Sequence, residues 1–335
     1  MGGSHLDFEQ WYKRVYGCLI GLSVGDALGA PTEGLALEEI REKYGWINDF
    51  VNDDPVGTDD TEYTMLTAKI ILKYGNKLNY EDMSREWTNY LVSQKGGFKG
   101  GGFSEVEAIF NLRKGLAAPV TGVDNHQMWS DGVAMRISPI GIYCAGNPEE
   151  AARLAEIEAR VSHDRDGVYC GQAVAASVAY AMTGDDWQKV IQTGMNHIPN
   201  DSWTYRKIDE AVEIGTKYTN IQDAMEELYN KISIFYYPWA DMGPEAIPLA
   251  YGVFAAAKGE YIPAVLGGVN IGRDSDTIAA MNGAMAGALH GADAVPKGWQ
   301  NRINIIRGRC VLAMKGIDVR DIARDLTNVI VGGKE

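Results

Sequence analysis

With 335 residues, 46% hydrophobic and 23% charged, the chain has the composition of a globular protein and enough apolar material for a sizeable core. A formal net charge of −14 excludes a duplex-binding surface, which needs clustered Lys and Arg, so no sequence-specific nucleic-acid partner is expected. The cysteines Cys18, Cys144, Cys170 and Cys310 form no CxxC pair and no apolar stretch is long enough to span a bilayer, which points to reduced thiols in a cytoplasmic protein without membrane association.

The opening Met1-Gly2-Gly3-Ser4-His5 lacks an apolar h-region and reads as a vector-derived remnant. No repeat, low-complexity tract or Ser/Pro-rich linker follows, so residues 6–335 are expected to form one domain. Along it, apolar residues recur at helical spacing over residues 61–74, 80–93, 149–160, 171–182, 205–218, 221–232, 244–257 and 277–289. The one strand candidate is residues 47–51. The chain is therefore read as all-α, a compact single-domain bundle of many short helices. Stretches rich in Gly, Ala and Ser, such as residues 17–30, 173–181 and 279–288, suit close helix crossings, because small side chains let axes approach. Glycine inside a helix costs roughly 1 kcal/mol relative to Ala, so Gly283 and Gly287, four apart, mark such a crossing.

Three loops stand out. The run Gly96-Gly97-Phe98-Lys99-Gly100-Gly101-Gly102 has too much backbone freedom for an element interior. It is either a mobile surface loop or a place where backbone approaches a ligand, with Gly100 and Gly101 as the candidate contacts. It is neither a P-loop nor a dinucleotide fingerprint. Trp129-Ser130-Asp131-Gly132 has the composition of a turn that caps the apolar segment after it. The aromatic run Phe235-Tyr236-Tyr237-Pro238-Trp239 is expected to pack as core or hinge, with a substrate-facing role as the lesser alternative.

Two clusters carry chemistry. In Thr58-Asp59-Asp60-Thr61-Glu62, Pro55 and Gly57 break the chain just before a helix begins, and Asp59 with Glu62 has the spacing of a capping box. In Gly272-Arg273-Asp274-Ser275-Asp276-Thr277, Ser275 or Asp276 would cap the helix that follows. Taken singly, each junction is explained as well by capping as by metal ligation. Together they hold more carboxylates than two caps require, since a cap uses one side-chain oxygen. Aspartate and threonine oxygens without nearby His or Cys are hard ligands that favour Mg²⁺, Mn²⁺ or Ca²⁺ over Zn²⁺. If the junctions met, four carboxylates would crowd together, and two divalent ions would balance them. The scattered histidines offer no HExxH, and no GxSxG elbow occurs, which excludes the commonest zinc and serine hydrolase signatures.

Gly21-Leu22-Ser23-Val24-Gly25-Asp26-Ala27-Leu28-Gly29-Ala30-Pro31-Thr32-Glu33, the Thr58 to Thr61 cluster, Asp131-Gly132-Val133-Ala134-Met135-Arg136, Ser162-His163 and residues 272–281 resemble, in order, the motifs of the ADP-ribosylglycohydrolase family. That family includes the dinitrogenase reductase-activating glycohydrolases. The resemblance implies an all-α fold, a dinuclear Mg²⁺ or Mn²⁺ centre, and cleavage of the glycosidic bond joining ADP-ribose to a protein side chain or small molecule. It assigns Thr58, Asp59, Asp60, Asp274, Asp276 and Thr277 as metal ligands. Glu33 and Asp60 become the proton-transfer groups, and Trp129, Ser130, Asp131, Gly132 and His163 substrate contacts. By its residues alone, His163 reads as a hydrogen-bonded structural histidine. Family members often carry Asn where this chain has Asp131, and a carboxylate there would repel a pyrophosphate unless protonated or turned away. Two rival readings remain: a metal-dependent hydrolase of nucleosides or other small N-glycosides, and a catalytically silent binding or structural member.

Overall fold

A computed structural model describes residues 6–333, so the segment read as a vector remnant lies outside the described residues. Among the described residues eighteen α-helices follow one another through turns and loops and no β-sheet forms; isolated bridges join only Ser130 with Met242 and Ile305 with Asp318. No described helix is long and apolar enough to cross a membrane.

All eight segments with helical periodicity are helical, and Ile221–Ile232 has the predicted bounds. The segment predicted over residues 80–93 is helical only through Tyr80–Trp87 and then widens into a π turn, Thr88–Val92. There the Thr88 hydroxyl donates to the Ser84 carbonyl at 2.7 Å, and such side-chain bonding competes with the regular ladder. Residues 47–51 do not form a strand. The Asn270 side chain, reaching from another helix, accepts the Ile47 N–H and donates to the Ile47 carbonyl, both at 2.8 Å, satisfying the groups that a neighbouring strand would have paired.

The longest helix, Phe8–Gly29, gives little periodic signal because it is buried on every side from Val15 to Gly29. It runs antiparallel to the equally buried Ser275–His290. The predicted crossing at Gly283 and Gly287 is made with Gly21 and Gly17. A Cβ on Gly21 would lie 2.4 Å from the Gly283 carbonyl oxygen, and one on Gly25 2.3 Å from that of Ala279. Only glycine permits this backbone-to-backbone contact. One turn further on, Gly29 meets the backbone of Asp276, so the pairing ends where Asp26 and Asp276 face each other. Around this pair a continuous set of buried apolar residues extends from Val15 to Leu326.

Gly283→Ala places a methyl 2.0 Å from the Gly21 carbonyl oxygen. It is expected to destabilise the fold by about 1–3 kcal/mol through overpacking. Gly298→Ala, exposed with no heavy atom within 4 Å, is expected to be neutral or stabilising by about 0.4–1 kcal/mol. Thermal denaturation of both variants checks this; equal melting temperatures would sink the contact argument.

Candidate active site

The capping alternative for the two aspartate junctions does not hold. Thr58 is the N-cap of Asp59–Tyr74 and Asp274 that of Ser275–His290, and neither makes a side-chain cap. The first of these helices is capped from outside, by Asp26 of Phe8–Gly29. Asp26 Oδ2 accepts the Thr58 N–H at 2.8 Å and the Thr61 N–H at 3.0 Å, while Oδ1 accepts the Thr58 hydroxyl at 2.8 Å. Glu62 turns away from the cluster and accepts the N–H groups of Arg309, Cys310 and Val311, each at 2.7 Å. At the other junction, the Ser275 hydroxyl is engaged with the Gly29 carbonyl and the Thr32 hydroxyl. Asp59, Asp60 and Asp276 are thus released from capping duty.

The junctions do meet. Thr58 Oγ1 lies 3.4 Å from Asp276 Oδ2. Asp26, Asp60 and Asp276 each bring a carboxylate oxygen within 4.8 Å of the others, and so do Glu33, Asp274 and Asp276. Two neighbouring three-carboxylate groups therefore share Asp276. Asp60 Oδ1 and Asp276 Oδ1 are buried without any hydrogen-bond partner. Orphaned buried carboxylate oxygens are costly, and a hard divalent cation is the kind of group that satisfies them. The residues present fit metal ions. Asp59 belongs to neither group, although it lines the same cavity, as does Thr277.

Burial and mutual repulsion hold the cluster's carboxyls above their usual range. Desolvation raises Asp26 to about 6, although its hydrogen bonds from Thr61 and Thr58 pull the other way. Asp59 is raised to about 7 by desolvation and then by the charges of Asp26 and Glu105. Asp60 and Asp276 are raised well above the usual value, first by burial and then by Asp276 in the case of Asp60 and by Asp274 in the case of Asp276. Partial desolvation, then Asp59, also lifts Glu33.

The cluster floors a cavity of about 640 Å³, a size suited to a small-molecule ligand. Of the candidate substrate contacts, Gly101, Ser130, Asp131 and Gly132 line it, whereas Gly100, Trp129 and His163 do not. Gly100 packs against Cys310. Trp129 sets its ring edge-on to Tyr237 at 5.3 Å, and its carbonyl accepts the Gly243 N–H. His163 is fully buried: Nδ1 lies 2.7 Å from the Ser162 hydroxyl and Nε2 2.8 Å from that of Ser130. Burial, reinforced by Arg136, holds its pKa well below the usual value and the ring neutral. His163 is one member of a closed hydrogen-bonded ring through Ser130, Ser104, Glu105, Arg136 and Ser162. This ring fixes Ser130 and Glu105 on the cavity wall.

Other wall residues escaped the sequence reading. The Gly-rich loop contributes Phe98 and Gly102 as well as Gly101, the last at φ +121°. The aromatic run is not core packing and takes the lesser, cavity-facing alternative: Tyr236 is 83% exposed, and Pro238 and Trp239 line the cavity, with Trp239 edge-on to Phe103 at 5.4 Å. Asp241 follows, raised to about 6 by burial. Asp26 was quoted within a motif but given no role. Its signal was a carboxylate inside an otherwise small and apolar helix, a position that needs partners.

The family profile described as ADP-ribosylglycohydrolase matches residues 8–334. An uncharacterized protein of Archaeoglobus fulgidus is 33% identical, the match covering 86% of this chain and 90% of that protein. The ADP-ribosyl-(dinitrogen reductase) glycohydrolase of Rhodospirillum rubrum is 23% identical over 92% of this chain and 98% of its own length. Among solved structures, an ADP-ribosylglycohydrolase-related protein complex shares the fold at a TM-score of 0.65 with 21% identity, covering 96% of this chain and 99% of that one. With its all-helical fold, its two carboxylate groups and a profile match over nearly its whole length, the chain belongs to the ADP-ribosylglycohydrolase family and is a hydrolase of glycosidic bonds.

Proposed function

We propose that the enzyme cleaves the bond between ADP-ribose and an acceptor, a protein side chain such as arginine or serine or a small molecule, using two Mg²⁺ or Mn²⁺ ions. The observation that carries this reading is the pair of carboxylate groups sharing Asp276 at the floor of the cavity. Asp26, Asp60 and Asp276 would hold one ion, and Glu33, Asp274 and Asp276 the other, with Thr58, Asp59 and Thr277 alongside. Two such ions orient ribose hydroxyls and make a bound water more acidic.

The chain's own residues do the rest. Glu33, in the loop after the Ala30–Thr32 turn, has a carboxyl held above its usual range by desolvation and by Asp59. A carboxyl so tuned can pass a proton to the departing group and take one from water. Asp60, buried and in the other group, is the second candidate for proton transfer. Ser130, fixed by the buried ring, Gly132, whose carbonyl accepts from Arg136 Nη1 at 2.8 Å, and Gly101 line the space where the ribose and its substituents fit.

The reading as a hydrolase of phosphate-free N-glycosides draws support from the charge of the wall. Among the described residues Arg273 is the one Lys, Arg or His that lines the cavity, and its guanidinium is bound by Glu245 through Nε at 2.5 Å and Nη2 at 3.0 Å. Free nucleosides assayed beside ADP-ribosylated protein separate the two readings.

With Mg²⁺ or Mn²⁺ the purified enzyme is expected to release ADP-ribose from a modified target, measured by chromatography. Asp60→Asn and Asp276→Asn should abolish release, and Glu33→Gln should lower kcat by about 10²–10⁴-fold, the range for loss of an acid–base group. Full activity in Asp276→Asn would remove the shared-ligand assignment.

A pH dependence follows from the raised carboxyls. Without divalent cations the folded chain keeps protons on Asp26 and Asp59 up to about 6 and about 7, against a usual 3.8. The unfolded chain releases them from about pH 4. Stability therefore falls as pH rises between those limits, by about 1.4 kcal/mol per pH unit for each retained proton. Bound cations replace the protons. Calorimetric melting should show Mn²⁺ raising Tm more at pH 7.5 than at pH 5; an equal or opposite effect counts against the site.

A further inference from the structure

Arg273 holds a backbone conformation that arginine rarely adopts, φ +58°, one residue before Asp274. A long side chain in the left-handed region is strained, and such strain persists only where surrounding contacts fix it. Here the contacts run to two separate segments of the cavity. The main chain of Arg273 grips the Glu33 loop: its carbonyl accepts the Gly34 N–H at 2.7 Å, and its N–H donates to the Leu35 carbonyl at 2.9 Å. On the other side of Glu33, Thr32 Oγ1 lies 2.8 Å from the Val269 carbonyl oxygen. Glu33 is itself exposed, so the anchored backbone on either side sets where its carboxyl stands.

The side chain of Arg273 grips the aromatic rim. Its guanidinium lies over the Phe235 ring, 5.8 Å from the centroid, and Nη2 reaches the Trp239 carbonyl at 3.5 Å. It also donates to both carboxylate oxygens of the fully buried Glu245, whose Oε2 accepts the Ile234 N–H at 2.5 Å. Ile234 opens the stretch that leads to Pro238, Trp239 and Asp241 on the cavity wall. Glycine or asparagine would meet the backbone requirement at φ +58° with less strain. Neither could form the two-pronged pair with Glu245, which needs the fork of a guanidinium.

We propose that Arg273 is a positioning residue that couples the rim segment 234–241 to the Glu33 loop, with Glu245 as the joint between them. The proposal rests on Glu33 being the proton-transfer group of the glycosidase reading. While Glu245 holds the guanidinium, the left-handed backbone of Arg273 keeps Gly34 and Leu35 in place. Releasing the guanidinium lets that backbone relax toward negative φ, which turns its carbonyl and N–H away from the Glu33 loop. Order at the rim is thereby required for order at Glu33.

Glu245→Gln tests the coupling. It keeps the shape of the side chain, but in either flip its amide sets N–H donors against the donors of Arg273 or Ile234. On the full-length, Mn²⁺-loaded protein, hydrogen–deuterium exchange followed by mass spectrometry should speed up at least tenfold in residues 234–241 and also in residues 33–36. Glu86→Gln, which removes another buried acid paired outside the cavity with Lys73, should change neither segment. In turnover, Glu245→Gln should lower kcat for ADP-ribose release at least tenfold, but less than twofold when introduced into Glu33→Gln, because the effect passes through Glu33. A loosened rim with unchanged exchange over residues 33–36 would overturn the coupling. So would kcat losses that multiply fully in the double variant. Faster exchange in both segments of a protein that hydrolyses no ADP-ribosyl bond would leave the coupling standing and refute the glycosidase reading. ADP-ribose release with a kcat indifferent to Glu245→Gln would do the reverse.

Discussion

The backbone contact between Phe8–Gly29 and Ser275–His290 is the constraint on which the site depends. Glycines at 17, 21, 25 and 29 let one helix lie directly on the other, against Gly287, Gly283, Ala279 and Asp276. At ordinary interaxial distances of 8–10 Å set by larger side chains, the two helices would hold their carboxylates further apart. Here the closeness is fixed by main-chain atoms, which do not rearrange to relieve charge. Burial in this packing raises the carboxyls of Asp26, Asp60 and Asp276, and neighbouring carboxylates raise Asp60 and Asp276 further still.

A second economy concerns helix termini. Asp26 caps the Asp59–Tyr74 helix from a different helix, so Asp59, which sequence would assign to capping, stays open to the cavity. One carboxylate thereby fixes the orientation of a helix and joins a three-carboxylate group. Behind the wall, the ring through His163 and Arg136 plays a comparable part for Ser130. It is fully satisfied, which is the condition under which a buried polar network rigidifies rather than weakens its surroundings.

The all-helical class and the two acidic junctions were legible because they rest on local signals: periodicity, glycine and proline breaks, and clustered hard ligands. The family motifs supplied the chemistry. What was not legible depends on packing. From Val15 to Gly29 the helix Phe8–Gly29 has no exposed face, so period alone could not mark it. The resemblance made His163 a substrate contact, but the structure turns both its nitrogens to serines behind the wall. The aromatic run 235–239 has a core composition, yet much of it is exposed at the rim. Asp241 had no local signal; its relation to Asp131 is a backbone bond between residues 110 apart in sequence.

The shared group at Asp276 is drawn from residues 26, 60 and 276, and Glu62, two residues on from Asp60, ties in residues 309–311. Nearly the whole chain must be in place before the three carboxylates meet. Contacts of such sequence separation are closed late, because the entropy of joining distant segments is spent before those contacts reward it. A chain that holds only its locally formed helices therefore still lacks the three-carboxylate group.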